Sequence, residues 1–466
     1  MSDALSLRRW VLLVCLFLVS LPAVTPRLYS SDEIQYFAYL RSMWFDRDLS
    51  FENEYRYFYD RDIGASAGFH ETFLERQTET GRRINFATIG CAILWSPFYA
   101  AGDAITRASG GVRDGYSKPY LGAVAFGSAV YGFGAIVLSI LSARRLGCDA
   151  FVPALAIWFG TPLLFYMYIA PPFSHACSAF GVALFIYVWL RVRETWSPAG
   201  LAALGAAAAL MAMIREQDAF FVVGPAVELA LGFGLWALGR QGENSEGPTP
   251  NSQSPKPKAQ SLKPKAQSLL LAVVAFVVVF TPQAVAYMVL NGHIGPHSSV
   301  GRKMTWTAPH ALQVLLSPEH GFLFWTPLAG VALIGLLRHR HRVFGLLLVM
   351  VAFQIYVAGS VESWTVAGAF GQRRFIALTA ILVMGLSALW QSARSSAARS
   401  ALAAGMALGV YWNLALTMEF SVGLMDRQKL ELRKNAYDAF ITLPRQMPSL
   451  AYRYIFDRAS FYKTPR

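Results

Sequence analysis

The sequence predicts an all-α polytopic membrane protein, on three observations. Of its 466 residues, 55% are hydrophobic and only 15% are charged, against about 25% charged in soluble domains. Apolar runs recur along the chain at lengths near the roughly 17–25 residues that cross a bilayer. The connections between those runs alternate between arginine-rich and arginine-poor, as in a chain that keeps its basic loops in the cytoplasm. Those loops account for most of the formal charge of +13, so the charge does not point to nucleic acid.

Arg8 and Arg9 precede the first apolar run, 10–25. There Ala23-Val24-Thr25 is followed by Pro26, a poor cleavage context, so the run is expected to stay as an uncleaved first span with a cytoplasmic N-terminus. Further spans are expected near 118–142, 150–170, 174–192, 198–214, 218–238, 269–290, 321–337, 343–360, 374–390 and 398–418, about eleven in all. The cytoplasmic connections then hold Arg144/Arg145, Arg191/Arg193, the 240–268 loop, Arg338/Arg340/Arg342 and Arg394/Arg399. This orientation requires that the apolar stretch 84–102, with Pro97 inside it, does not cross. Residues 27–117 are then wholly outside, with interfacial helices lying along the membrane. The 240–268 loop contains Lys-Pro-Lys-Ala-Gln-Ser-Leu twice, at 256–262 and 263–269. It lacks the residues for a core and predicts a disordered cytoplasmic linker. It divides a front bundle, 1–239, from a rear bundle, 269–418, and an external amphiphilic segment, 419–466, follows. Cys15, Cys91, Cys148 and Cys177 lie in or beside apolar runs without CxxC spacing and are read as small hydrophobes.

Short outward loops should be poor in positive charge. Arg215, Arg302/Lys303 and Arg373/Arg374 break that rule. An anionic ligand on the outer side is the simplest reason. Pairing with lipid phosphates, or with Glu216, Asp218 and Glu362, is the other. Asp32 and Glu33 follow the first span directly. Ser30 with Glu33 three residues later fits a capping box, and acids suit a first helical turn. Ile34, Phe37, Leu40 and Trp44 continue at helical spacing. Such a helix would lie at the interface and hold Asp32 at its tip, facing a cavity. Asp46, Asp48, Glu52, Glu54, Asp60 and Asp62 read mostly as a solvated face.

This order of a short N-terminus, one span, an Asp-Glu pair and an amphipathic helix resembles membrane glycosyltransferases of the GT-C fold. The protein O-mannosyltransferase and aminoarabinose-transferase-like branch is the nearest in pattern. Asp32 and Glu33 match the acidic motif of its first outward loop. The segment Thr80-Gly81-Arg82-Arg83-Ile84-Asn85, leading to Leu94-Trp95-Ser96-Pro97-Phe98-Tyr99, is similar to its second interfacial helix. The lysine-proline-proline motif of the aminoarabinose branch is absent, with Arg82 and Arg83 in place of its charge. The resemblance is best over 1–240. It implies a GT-C-like bundle of about 11 transmembrane helices with interfacial helices in the first outward loop. It also implies an inverting glycosyltransferase in the cell's inner (plasma) membrane, with its site on the external face. Such an enzyme moves a sugar from a polyprenyl-phosphate carrier to an acceptor lipid, glycan or protein.

The residue types suit that chemistry. An acceptor hydroxyl is a weak nucleophile and gains from a carboxylate base. The transition state is oxocarbenium-like, as in glycoside hydrolysis. The departing phosphate gathers charge that guanidinium groups hold in bidentate fashion. On this reading Asp32 is the base, and Glu33 orients it or binds a divalent cation. Arg373 and Arg374 clamp the phosphate, with Arg302, Lys303 and Arg215 behind them and Arg82 and Arg83 contributing charge. His175, Asp218, His320, Glu362, Trp364 and Gln372 are acceptor or cavity residues. The one cofactor the residues offer a place for is a divalent metal ion, which, where one is used, falls to Asp32, Glu33, Glu319 and His320. The partners are the lipid-linked sugar, its acceptor and membrane lipid. The alternative is a transporter or flippase of an anionic lipid-linked substrate. One-sided charges, the lack of matching halves and a first outward loop of about 90 residues favour the enzyme.

Overall fold

The computed structural model describes residues 6–64, 68–232 and 266–462. They form an all-helical membrane protein, with no strand among the described residues. By length and composition six helices can cross a membrane: Lys118–Arg145, His175–Val192, Gln267–Asn291, Arg342–Ser360, Arg373–Ser392 and Ser396–Val422. Five of the eleven expected spans fall short of that measure. The first is α1, Leu7–Ser20, continued by a 3-10 turn over Leu21–Ala23. The run at 150–170 is two pieces, and that at 198–214 is a 17-residue helix. The run at 321–337 is interrupted before Pro327, and that at 218–238 is described only to 232. The 240–268 linker lies outside the described residues, save its last three, which already belong to a helix.

After α1 the loop expected outside folds into its own layer. Its helices are α2, Ser31–Arg41; α3, Glu52–Tyr59; and α4, Gly90–Ala108. They share an apolar core of Ile34, Phe37, Tyr55, Phe58, Trp95 and Tyr99. Besides Glu33, two of the loop's acids are buried, Glu54 among those expected mostly on a solvated face and Asp103 outside that set. Glu54 is fully buried, with Arg41 Nη1 donating to its Oε1 at 2.9 Å, and Arg41 also pairs with Asp46. Asp103 is buried too, between Arg107, Arg113 and the Tyr120 hydroxyl.

The next helix, α5, Lys118–Arg145, fixes the depth of α4. Tyr131 donates to the Leu94 carbonyl at 2.8 Å, and Trp95 Nε1 donates to Ser128 Oγ at 2.9 Å. Gly102 abuts the Pro119 backbone so closely that a Cβ would stand 2.8 Å from its carbonyl oxygen. Helix α4 therefore runs antiparallel beside the first half of α5 and stops there.

The bundle continues with α6, Phe151–Phe159; α7, Leu163–Tyr168; α8, His175–Val192; and α9, Pro198–Ile214. Pro162 has no N–H to donate, and the helix breaks at Gly160-Thr161-Pro162. The carbonyls freed there need donors, because lipid supplies none. Asn413 provides them, its Nδ2 donating to Phe159 O and Thr161 O at 2.9 Å each. The rear half comprises α10, Ala266–Asn291; α11, Pro327–Arg338; α12, Arg342–Ser360; α13, Thr379–Ser392; and α14, Ser396–Val422. Helices α11 and α13 cross where a Cβ on Gly335 would lie 1.9 Å from the Gly385 carbonyl oxygen. Only glycine permits that approach, a common device in lipid, where small residues let backbones pack.

The expected boundary at 418 moves outward. Helix α14 runs to Val422 and ends at Gly423, whose φ of 77° suits a glycine terminator. Beyond it α15, Leu443–Phe456, returns over the bundle, and Arg458 Nη1 donates to the Pro22 carbonyl at 2.7 Å.

Charged groups segregate to the two ends of the bundle. Arg9 pairs with Asp149, Arg145 with Glu194, and Arg193 with Glu228. Arg342 reaches the Glu228 carbonyl, and Gln391 accepts from the Asp149 backbone. Thus, among the described residues, connections expected in the cytoplasm meet one another at one end. The candidate site lies at the other.

Candidate functional site

Three bundle elements bring their ends to the start of α2. These are the start of α8, the end of α9, and a 3-10 turn, Arg373–Leu378, that leads into α13. The capping box at the start of α2 is present as its sequence indicates. Ser30 Oγ accepts from Glu33 N, while Glu33 Oε2 accepts from the N–H groups of Tyr29 and Ser30 at 2.8 and 2.9 Å. Glu33 is consumed by this role. It is fully buried, which pushes its carboxyl up to about 8, with the neighbouring Asp32 charge adding to the effect.

Asp32, one residue earlier, faces the other way. Its Oδ2 lies 2.7 Å from Arg373 Nη1, and its side chain stays 40% exposed against 22% for the arginine. The Arg373 guanidinium also sits 5.3 Å from the Phe173 ring centroid, within cation–π range. Gly371 aims this arginine. Its φ of 59° makes the turn, and a Cβ there would strike Pro162 at 2.8 Å.

Two more arginines complete the cluster. Arg374 donates from Nη1 to Ser363 O at 2.9 Å and from Nη2 to Ser363 Oγ at 3.2 Å, and Gln354 Nε2 holds its carbonyl. Arg215 Nη1 lies 3.0 Å from His175 Nδ1. Because arginine only donates, Nδ1 must accept, which places the imidazole proton on Nε2. All three guanidiniums are near enough to act electrostatically on the buried His175 ring. Asp218 is fully buried beside Arg215. Ser178 Oγ donates to its Oδ2 at 2.5 Å, while Oδ1 meets no donor among the described residues.

The structure thus brings Asp32, Arg373, Arg374, Arg215, His175 and Asp218 together and leaves the other sequence candidates elsewhere. Arg302 and Lys303 are exposed, with Lys303 over the Phe86 ring and its carbonyl accepting from Glu362 N. Arg83 pairs with Glu52 inside the loop layer, and Arg82 lies on the same short hairpin. His320 is buried, stacked on Trp325, with Nε2 at 2.9 Å from the Ala369 carbonyl. Trp364 stacks on His310, and Gln372 is buried and donates to the Trp364 carbonyl. These last three shape the loop before Arg373. Glu319 and Glu362 belong to partly open loops. The metal set expected from Asp32, Glu33, Glu319 and His320 is not assembled, for no three His, Cys, Asp or Glu side chains converge in a metal-holding group among the described residues.

Residues that sequence reasoning missed include Tyr36, Tyr166 and Ser363. Tyr166 OH accepts from Phe370 N at 3.2 Å, and its ring packs edge-on to His175 at 4.6 Å. Tyr36 lies close enough to Asp32 and Arg215 to feel both charges. The one available signal was Pro162, which marks the break from which α7 presents Tyr166. No protein-family model matches the chain, and no curated protein matches it.

Proposed function

We propose that the protein is a GT-C-like glycosyltransferase that moves a sugar from a polyprenyl-phosphate carrier to an acceptor hydroxyl. The observation that carries this reading is the pairing of Asp32 with Arg373 at 2.7 Å, flanked by Arg374 and Arg215. A base and a phosphate clamp are what displacement at an anomeric carbon needs side by side. The acceptor oxygen attacks C1 while its proton passes to the Asp32 carboxylate. The bond from C1 to the phosphate oxygen breaks with inversion, and its electron pair stays on the phosphate. Arg374 and Arg215 meet that charge with bidentate donors. His175, carrying its proton on Nε2, is a neutral donor beside them. Glu33 holds the helix tip that carries Asp32 and makes no chemical step.

The placement on the outer face of the inner membrane rests on charge. The arginine-rich connections share the opposite end, as cytoplasmic loops would. The half-depth course of α4 beside α5 supports keeping 27–117 on one side. The test is transfer from polyprenyl-phosphate sugars in proteoliposomes. Asp32→Asn should cut transfer by about 100-fold or more while leaving the protein folded and inserted. Normal turnover in that variant would remove Asp32 from the base role. Movement of the intact lipid-linked sugar across the bilayer without glycosidic cleavage would favour the flippase reading instead.

A further inference from the structure

Asp32 Oδ2 already accepts from Arg373 Nη1 at 2.7 Å, so that oxygen is taken up while the pair stands and is not turned to an acceptor hydroxyl. Resting on the function proposed above, we infer that the Asp32–Arg373 pair is a latch that the carrier phosphate opens. Donor binding then frees the base, and the enzyme binds donor before it activates the acceptor.

The geometry supports each part of this exchange. Arg374 and Arg215 meet uncharged partners at hydrogen-bond distance, Ser363 and His175. Asp218 lies near Arg215, and Asp32 is held by Arg373. A half-buried cluster with three guanidiniums and two carboxylates therefore keeps an excess of positive charge, which an anion relieves. A phosphate settling on Arg374 and Arg215 brings its remaining oxygens toward Arg373. There it competes with one carboxylate oxygen for the same nitrogen. The backbone under Asp32 does not follow, because the capping box and the buried Glu33 fix the first turn of α2. Only the side chain moves, and its 40% exposure leaves it open space on the acceptor side. Once released, the carboxylate remains at the helix N-terminus, where the dipole tolerates its charge. Arg373 keeps its contact over Phe173 throughout, so the guanidinium stays in place while its partner changes.

Binding of a polyisoprenyl monophosphate that carries no sugar tests this, measured in nanodiscs against the uncharged polyisoprenol. The wild-type protein must break the pair to bind. Asp32→Asn removes that cost and should tighten binding about tenfold, although it abolishes transfer. In an Arg373→Gln background the same Asp32→Asn change should bring no gain, since there is no latch to open. Asp32→Ser reads the same step should the asparagine variant fail to insert. Unchanged or weaker binding in Asp32→Asn overturns the latch and leaves the proposed function standing. A gain that persists in the Arg373→Gln background also overturns it, because general charge repulsion then explains the effect. Failure of the wild-type protein and every variant to prefer the phosphate over the alcohol overturns the latch and the proposed function together.

Discussion

Two adjacent carboxyls, Asp32 and Glu33, have been given opposite environments by one helix start. Glu33 is the third residue of α2 and turns back to cap it, and Asp32 turns outward to Arg373. The cap needs an acceptor oxygen and not a charge. Glu33→Gln should therefore keep stability nearly unchanged, while Glu33→Ala should lose about 1 kcal/mol, read from thermal unfolding in detergent. Equal losses in both variants would mean that the charge itself is required. Glu54 gives a second residue-scale prediction. Burial pushes its carboxyl up to about 7, against the pull of Arg41. A carboxyl whose folded value is raised binds protons more tightly in the native state, so its contribution to stability is complete below the unfolded value near 4.5 and is lost as pH climbs through 7. Wild-type protein should thus lose stability relative to Glu54→Gln between pH 5 and 8. Parallel curves for the two proteins across that range would show that Glu54 is charged throughout. Of this chemistry the capping box was legible from Ser30 and Glu33, whose spacing is local. The burial of Glu54 was not, because a Glu in Phe51-Glu52-Asn53-Glu54-Tyr55 reads as solvent-facing until a remote Arg41 turns toward it.

Helix breaks matter more here than helix lengths. The interruption at 160–162 lets α7 present Tyr166 to His175, and it seats Pro162 under Gly371. Hydropathy reads 150–170 as one span, since a window average does not register a missing backbone donor. Pro162 was visible in the sequence, but its donor, Asn413, stands in another helix and has no local signature. The interruption depends on that amide, which serves two carbonyls where lipid offers no water. Asn413→Leu should cost about 1–3 kcal/mol, the penalty for stranding buried acceptors. Activity should fall further than stability, because the displaced α7 no longer supports the site. Denaturation midpoints and transfer rates measured on the same preparation separate the two effects. A melting curve identical to wild type would show that the carbonyls find other donors.

At the scale of the whole molecule, charge decides orientation and therefore which end can meet an external substrate. The alternation of arginine-rich connections was readable because each connection is a local count. What the count could not supply was that Arg9, Arg145, Arg193 and Arg342 meet acidic or carbonyl partners at a common end. Nor could it supply the meeting of Asp32 with Arg373, which depends on how α2 docks over a bundle built from both halves of the chain. The orientation turns on α4. If α4 crossed the membrane, every later connection would change sides. Its contacts through Leu94, Trp95 and Gly102 fall on Tyr131, Ser128 and Pro119, in the first half of α5, as expected of a helix that enters and leaves on the side of Asp32. A reporter enzyme inserted within 103–117 should accordingly be active only outside, and one placed after residue 250 only in the cytoplasm. The paired design matters, because a single fusion cannot distinguish a misplaced α4 from an inverted protein. Opposite sides with 103–117 outside sustain the proposed topology. A cytoplasmic signal from 103–117 overturns that topology.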